Sequence, residues 1–280
     1  MRFWLLLAVW TWGFGAAGSD QATTRVVSLV PGLTEMIFAI GAQDQLVGAS
    51  DYCALPEGST VPRVGGLLDP RIEDIVRARP QVALFYSSMT ESARRLSGLG
   101  IKVDSLKLDS LNEIKQAATY LGGLTGRTKE AADWRAGIES QLHEIRKQAA
   151  LTTGPRVTII VSRDPVEFKN MYQAGKAEFL GQLAEVAGAK LAIPGAPPIT
   201  VEMLLQADPD IIIDYSLAET GGDSAAGSQS MLEVYRQKLP SLKAVKSGSI
   251  YAITNERALV PGPSIIETAK EYEKLFTKWR

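Results

Sequence analysis

Cysteine and histidine are almost missing from this 280-residue sequence, with Cys53 and His143 the single example of each. One of each excludes a zinc finger, an iron–sulfur cage and a disulfide framework, which need clustered ligands or paired thiols. No His-and-carboxylate cluster of the kind zinc or manganese requires is in view, so no metal site is expected. Charge of one sign is missing too. Thirty Lys+Arg stand against 31 Asp+Glu, a net charge of −1, where a nucleic-acid binder would carry a basic excess or stripe. The nucleophile elbow Gly-x-Ser-x-Gly, the helix motif His-Glu-x-x-His and the phosphate loop are all absent. One Gly-x-Gly-x-x-Gly occurs, at Gly13–Gly18, but not between a strand and a helix, where a dinucleotide would need it. Paired carboxylates would be the remaining route to an enzyme, and none stands out by spacing. What is present is ordinary globular composition, 45% hydrophobic and 22% charged, which excludes a disordered chain.

The chain starts Met1-Arg2, then runs apolar from Phe3 to Trp10 and ends in the small residues Gly15-Ala16-Ala17-Gly18. A single positive charge, a short apolar core and a small-residue end read as a secretory signal peptide over 1–18. The core is too short for the ~20 residues of a membrane helix. No cysteine follows it for a lipid anchor, and no later stretch is apolar enough to span a bilayer. Removing 1–18 leaves a charge of −2 and two tryptophans, Trp134 and Trp279. The mature protein is expected to be soluble in an oxidising compartment, where Cys53 has no partner; a small buried hydrophobe is the plain reading of it.

Strand and helix signals alternate from 26 to 127. Val26–Val30 is a short β-branched run closed by Pro31-Gly32. Leu33, Met36, Ile37 and Ile40 recur at helical spacing up to Gly41. A strand at 46–49, a short helix ending before Pro80, a buried strand at 82–86, a helix at 89–97 and a strand at 101–106 follow. A helix over 110–121 closes at Gly122-Gly123. Lys129 to Ala150 is free of Pro and holds one Gly, which predicts a helix of about 22 residues, ~33 Å long. His143 reads as part of its solvated face. The alternation restarts with a strand at 157–161, helices at 176–187 and 200–206, strands at 211–213 and 250–253, and a closing helix from Ile265 to Trp279. The fold class is therefore α/β: two lobes with central parallel sheets, joined by one long helix, with a ligand cleft between them. The divisions are 1–18, an N-terminal lobe 19–127, the connecting helix 128–152 and a C-terminal lobe 153–280.

The two halves also share a local pattern. Ile72-Glu73-Asp74-Ile75-Val76-Arg77-Ala78-Arg79-Pro80-Gln81-Val82 and Val201-Glu202-Met203-Leu204-Leu205-Gln206-Ala207-Asp208-Pro209-Asp210-Ile211 both read apolar-Glu-x-apolar-apolar-x-Ala-x-Pro-polar-apolar. Each predicts a short helix, a proline stop and an immediate buried strand, as in a structural pseudo-repeat.

Residues 25–275 resemble the periplasmic substrate-binding proteins of ABC importers for vitamin B12, haem and ferric siderophores. The opening Arg25–Glu35, the Val47–Cys53 strand and loop, Gly65-Gly66, Ala174-Gly175 with Phe179-Leu180, Ala187-Gly188 and Pro261-Gly262-Pro263 carry the likeness. Asp51-Tyr52 with Pro56 downstream is most similar to the corrinoid branch. An arginine common after the last turn is Ser264 here. The resemblance implies a rigid connecting helix with little lobe closure, and an importer permease as partner. Glu73 and Glu202 match the positions at which one carboxylate per lobe docks on that permease; a solvated helix carboxylate is the competing reading.

The loops after the strands are expected to line the cleft. Candidate ligand contacts are Pro31, Gly32, Asp51, Tyr52, Gly66 and Tyr86 in the first lobe. Arg163, Tyr172, Tyr215 and Arg257 are those of the second. Tyrosines offer a large flat ligand an apolar face and a polar tip, and arginines offer a partner for carboxylate, amide or phosphate. Plain packing competes for each tyrosine, and a surface ion pair for each arginine. The Gly/Ser/Ala-rich stretch Glu219–Gln229 is expected to be a mobile lip. The expected function is capture of a corrinoid, cobalamin, by an exported, monomeric, non-enzymatic binding protein that hands it to an ABC importer. Haem, which a tyrosine could ligate, and an anionic ferric siderophore, which arginine would suit, remain alternatives. So, in a different class, does an exported enzyme or sensor on the same fold.

Overall fold

The computed structural model describes residues 23–88, 90–151, 153–164, 167–217 and 224–279. The expected signal segment 1–18 and residues 219–223 of the expected lip lie outside the described residues.

The first sheet is parallel throughout, in the order β2 (Leu46–Ala49), β1 (Val26–Ser28), β3 (Val82–Tyr86), β4 (Lys102–Leu106). Its inner strands β1 and β3 are buried almost throughout, as continuous apolar runs covered by helices on both faces must be. The helices are α1 (Pro31–Ala39), α2 (Ile72–Arg77), α3 (Thr90–Gly98) and α4 (Leu111–Thr125). The second sheet runs β6 (Tyr172–Gln173), β5 (Arg156–Ser162), β8 (Ile211–Asp214), β9 (Ile250–Ala252), with β7 (Lys190–Leu191) also on β5. It is mixed, because β6 runs antiparallel to β5. Around it lie α6 (Phe179–Val186), α7 (Val201–Ala207), α8 (Ser224–Lys238), α9 (Lys243–Lys246) and α10 (Ile265–Lys278).

Between the two stretches runs α5, Thr128–Ala149, a helix of 22 residues. Ala131, Ile138, Leu142 and Ile145 form its buried stripe, three or four residues apart except for one wider step. The stripe belongs to a hydrophobic cluster that extends from Val26 and Leu33 to Val157, Ile211 and Phe276. One core therefore runs through both sheets' surroundings, with α5 packed into it. His143 is exposed on the outer side.

Two expectations need correcting. The helix expected to stop at Gly122-Gly123 continues to Thr125 and is closed by Gly126 in the left-handed conformation (φ 70°). Gly122 serves a different purpose: a methyl group there would come within 2.5 Å of Ala131 Cβ, so its bareness lets α4 and α5 approach closely. Second, residues 224–229 of the expected lip are the first turns of α8, whose Met231, Leu232 and Tyr235 are buried. The apolar residues that anchor this helix lie C-terminal to the Gly/Ser stretch, which composition alone read as loop.

The local pattern repeated in sequence is repeated in structure. In the first half, Gln81 N donates to Arg25 O (2.8 Å) and Arg25 N to Gln81 Oε1 (2.9 Å). In the second, Asp210 N donates to Arg156 O (2.8 Å) and Arg156 N to Asp210 Oδ2 (2.9 Å). The polar residue after each proline thus clasps the start of its own sheet's central strand. That bond fixes where α2 and α7, with Glu73 and Glu202, sit against the two sheets.

Candidate functional site

A cavity of about 860 Å³ opens where the carboxyl ends of β1, β3, β4 and β5 meet. This is near the upper end of the ~300–1,000 Å³ of small-molecule sites. The first half contributes the Val30–Gly32 turn after β1, Leu67, Tyr86 at the end of β3, and the Leu108–Ser110 turn into α4. The second half contributes Val161 at the end of β5, the Ala177–Leu180 approach to α6, and the Leu259–Pro261 turn. The walls are largely aliphatic. The polar groups are Tyr86, Ser88, Ser110 and the carboxylates of Asp109, Glu113 and Glu178. No Lys, Arg or His occurs among the described residues that line it.

The floor is a seam between the halves. Phe179 N donates to Asp109 O (2.6 Å), and Leu111 N to Gln182 Oε1 (2.9 Å). Gly32 lies so close to Pro261 that a methyl on it would overlap the Pro261 carbonyl oxygen. Helix α4 starts at the floor with a capping box: Glu113 N donates to Ser110 Oγ (3.3 Å), and Ser110 N to Glu113 Oε2 (3.0 Å). At the start of α6, Gly175 N donates to Glu178 Oε2 (2.7 Å). The Tyr86 hydroxyl donates to Asp109 Oδ1. Burial, then the Asp109 hydrogen bond and charge, push the Tyr86 hydroxyl well above its usual pKa, so it keeps its proton.

Of the ten ligand contacts expected from sequence, the structure brings Pro31, Gly32 and Tyr86 to the cavity wall. Asp51, Tyr52 and Gly66 form a neighbouring cluster beside Leu67. Asp51 N bonds Gly65 O (2.9 Å), its carboxylate pairs with Arg71 (3.3 Å), and the Tyr52 ring edge lies over Gly66. Tyr52 is 70% exposed and, like Asp51 and Gly66, is not part of the cavity wall. Tyr172, on edge strand β6 and 50% exposed, is not part of the cavity wall.

Three assignments are corrected. Tyr215 is buried in the second half, its hydroxyl 2.8 Å from that of Tyr272, so it is a core residue. Arg163 is also buried: its Nε donates to Asp214 Oδ2 (2.7 Å) and its guanidinium lies 4.3 Å over the Phe168 ring. Tyr235 completes this network by donating to the same Asp214 oxygen (2.9 Å). Arg163 thus ties the ends of β5 and β8 together inside the lobe. Arg257 is surface-exposed and pairs with Glu35 (3.3 Å) on the far side of the Gly32–Pro261 contact, outside the cavity wall. Strand-end position, the signal used for all three, does not distinguish a side chain turned into its lobe from one turned into the cleft.

Among the wall residues missed by sequence reasoning are Leu108, Asp109, Ser110 and Glu113. Their signal was legible as Ser-x-x-Glu before an apolar helix, directly after a strand. Trp134, half-buried on α5, and Trp279, on the last turn, lie away from the cavity. Glu73 and Glu202 are exposed on α2 and α7. The Thr200 side chain, then Glu202's own backbone N–H, hold the Glu202 carboxyl below its usual pKa. Cys53 is buried between Thr34 Oγ1 (3.0 Å) and Ser50 Oγ (3.2 Å). Among the described residues no cluster of His, Cys, Asp and Glu could hold a metal, and no helix is long and apolar enough to cross a membrane.

One half on a parallel sheet, one on a mixed sheet, a long helix between them and a cleft at the strand ends define the two-lobed binding-protein class. Residues 26–256 match the periplasmic binding protein family, and the chain belongs to it. The chain is 27% identical over 259 residues to an uncharacterised ABC transporter substrate-binding lipoprotein of Bacillus subtilis, covering 88% of this chain and 78% of that protein. It is 24% identical over 259 residues to a cobalamin-binding protein of Halobacterium salinarum, covering 89% of this chain and 68% of that one. The fold matches Staphylococcus aureus IsdE, solved in complex with haem, with a TM-score of 0.74 at 22% identity, covering 90% of this chain and 98% of that one.

Proposed function

We propose that the protein captures a corrinoid, cobalamin, outside the cytoplasm and delivers it to an ABC importer permease, performing no chemistry of its own. The observation that carries this reading is the cavity: large, aliphatic-walled, floored by both halves, and edged with hydrogen-bond acceptors. A corrin ring is broad and apolar across its faces and ringed by amide groups, and such a cleft complements both features. The Halobacterium relative points to the same ligand. In this reading 1–18 directs export to the periplasm, 19–127 and 153–280 act as lobes about the helix 128–152, and the protein works as a monomer. Asp51, Tyr52 and Gly66 would contact the ligand's edge, with Tyr172 facing it from the second lobe. Glu73 and Glu202, exposed on equivalent helices, would dock on cationic side chains of the permease, one per lobe.

One observation favours haem as a second reading: Tyr86 places a phenol, a group able to ligate haem iron, on the cavity wall. Against it, the Tyr86 hydroxyl is already engaged with Asp109, a bond that iron ligation would have to displace.

Calorimetric titration of the mature protein with cyanocobalamin and, separately, haemin tests the assignment. Saturable one-to-one binding of cyanocobalamin, weakened at least about tenfold by Phe179→Ala, is expected. Haemin binding alone, with an absorption band lost in Tyr86→Phe, would transfer the assignment to haem. Binding of neither would remove both.

A further inference from the structure

Helices α4 and α6 both begin at the cavity floor. A helix start carries unpaired N–H groups and a partial positive charge, so two of them facing an apolar cleft would ordinarily attract an anion. Here part of that capacity is already taken by the protein. On α4, Leu111 N goes to Gln182 and Glu113 N to Ser110 Oγ, while the Glu113 carboxylate lies across the end. On α6, Phe179 N goes to the Asp109 carbonyl, and the N-cap residue Glu178 turns its carboxylate back to accept from Gly175 N, adding its charge beside the helix start. Asp109 adds a third carboxylate beside Tyr86. With no cation among the described lining residues, a bound carboxylate would find no charge partner and three like charges.

We infer that Asp109 and Glu178 are specificity residues that exclude carboxylate-bearing ligands from the cleft and admit ligands presenting amide N–H groups in the same places. The inference deepens the corrinoid reading and depends on it only for the identity of the admitted ligand. Exclusion of acids follows from the lining itself, because charge repulsion is weakly screened in an aliphatic cleft. Glu113 is left out of the assignment because its carboxylate also caps α4.

The test uses two corrinoids with the same macrocycle: dicyanocobinamide, whose edge carries amides, and dicyanocobyrinic acid, whose edge carries carboxylates. Haemin, with two propionates, is the third probe. Each is titrated into the wild type and into the Asp109→Asn, Glu178→Gln double variant. Both substitutions keep an oxygen to accept the Tyr86 and Gly175 bonds, and a melting curve checks that the variant is folded. The wild type is expected to prefer the amide over the acid by at least about 100-fold. The double variant should narrow that preference at least about tenfold. Equal binding of the two corrinoids by wild type, or an unchanged ratio in the variant, overturns the inference. If neither corrinoid binds, the corrinoid reading fails and haemin decides. Tighter haemin binding by the variant than by wild type supports exclusion; haemin no tighter on the variant, including no binding by either, overturns it.

Discussion

Arg79 and Asp208 hold the same left-handed backbone, φ 47° and 42°, at the same step of the two halves. Each is the residue before the proline that follows α2 or α7, and each turns the chain back into its sheet. The carbonyl of Arg79 accepts from Arg25 Nε (3.0 Å), and that of Asp208 from Arg156 Nη1 (3.4 Å). The turn is the joint that sets each glutamate-bearing helix on its lobe, and neither position uses glycine.

The two sites should respond differently to glycine. A side chain in this backbone region costs about 1–2 kcal/mol, part of which glycine gives back as unfolded-state entropy. Arg79 is exposed and its side chain makes none of these bonds, so Arg79→Gly is expected to stabilise by up to about 1 kcal/mol. Asp208 Oδ1 accepts from Lys243 N (2.8 Å) at the start of α9. Its loss resembles loss of a helix cap, about 0.5–2 kcal/mol, so Asp208→Gly should be neutral or destabilising. Urea unfolding of both variants reads the difference; equal gains would mean that the Asp208 side chain contributes nothing.

The repeat shows how far the sequence reaches. Proline, glutamate and apolar spacing located both joints, α5 and the buried strands, because these follow from local periodicity and chain-breaking residues. The cavity was legible only as a list of strand ends. Tyr86 ends one central strand and Tyr215 directly follows another, yet one faces the cleft and the other bonds Tyr272 in the core. The choice depends on α10, whose Tyr272 comes from far along the chain, and periodicity carries no such information. Arg163 escaped for the same reason: its partners Asp214, Tyr235 and Phe168 are assembled only in the folded lobe. Helix α8 was hidden by composition, since its exposed first turns are Ser, Ala and Gly.

Gly32 offers the sharpest test of the seam. It is buried at the first turn of α1, and a side chain would overlap the Pro261 carbonyl, a backbone group that cannot swing away. Gly32→Ala must therefore push α1 and the Leu259–Pro261 turn apart. Overpacking of this kind typically costs about 1–3 kcal/mol. Because both segments also line the cavity, the variant should lose ligand affinity as well as thermal stability. Gly123→Ala, on the same chain with open space around its Cβ, is the control that should lose neither. Loss of stability in Gly32→Ala with unchanged affinity would separate the seam from the site.

Glu35 gives the halves a pH-dependent tie. Its side chain is 9% exposed, one oxygen pairs with Arg257 across the seam, and the other is buried without a hydrogen-bond partner. Burial raises its pKa above the ordinary 4.5; the Arg257 charge and hydrogen bond oppose the rise, Glu267 adds to it, and the Ser264 backbone N–H opposes it. The sign follows from linkage. A carboxyl whose folded pKa is raised binds its proton more tightly folded than unfolded. Its contribution is therefore fully present below pH 4.5 and is lost as pH rises through the folded value. Glu35→Gln removes that dependence. It also removes the Arg257 ion pair, but an exposed partner makes that loss small, about 0–1 kcal/mol. Melting temperatures of the two proteins should thus move apart between pH 4 and pH 8 in the variant's favour. A gap that closes or reverses over that range would mean that Arg257, rather than burial, governs the Glu35 carboxylate.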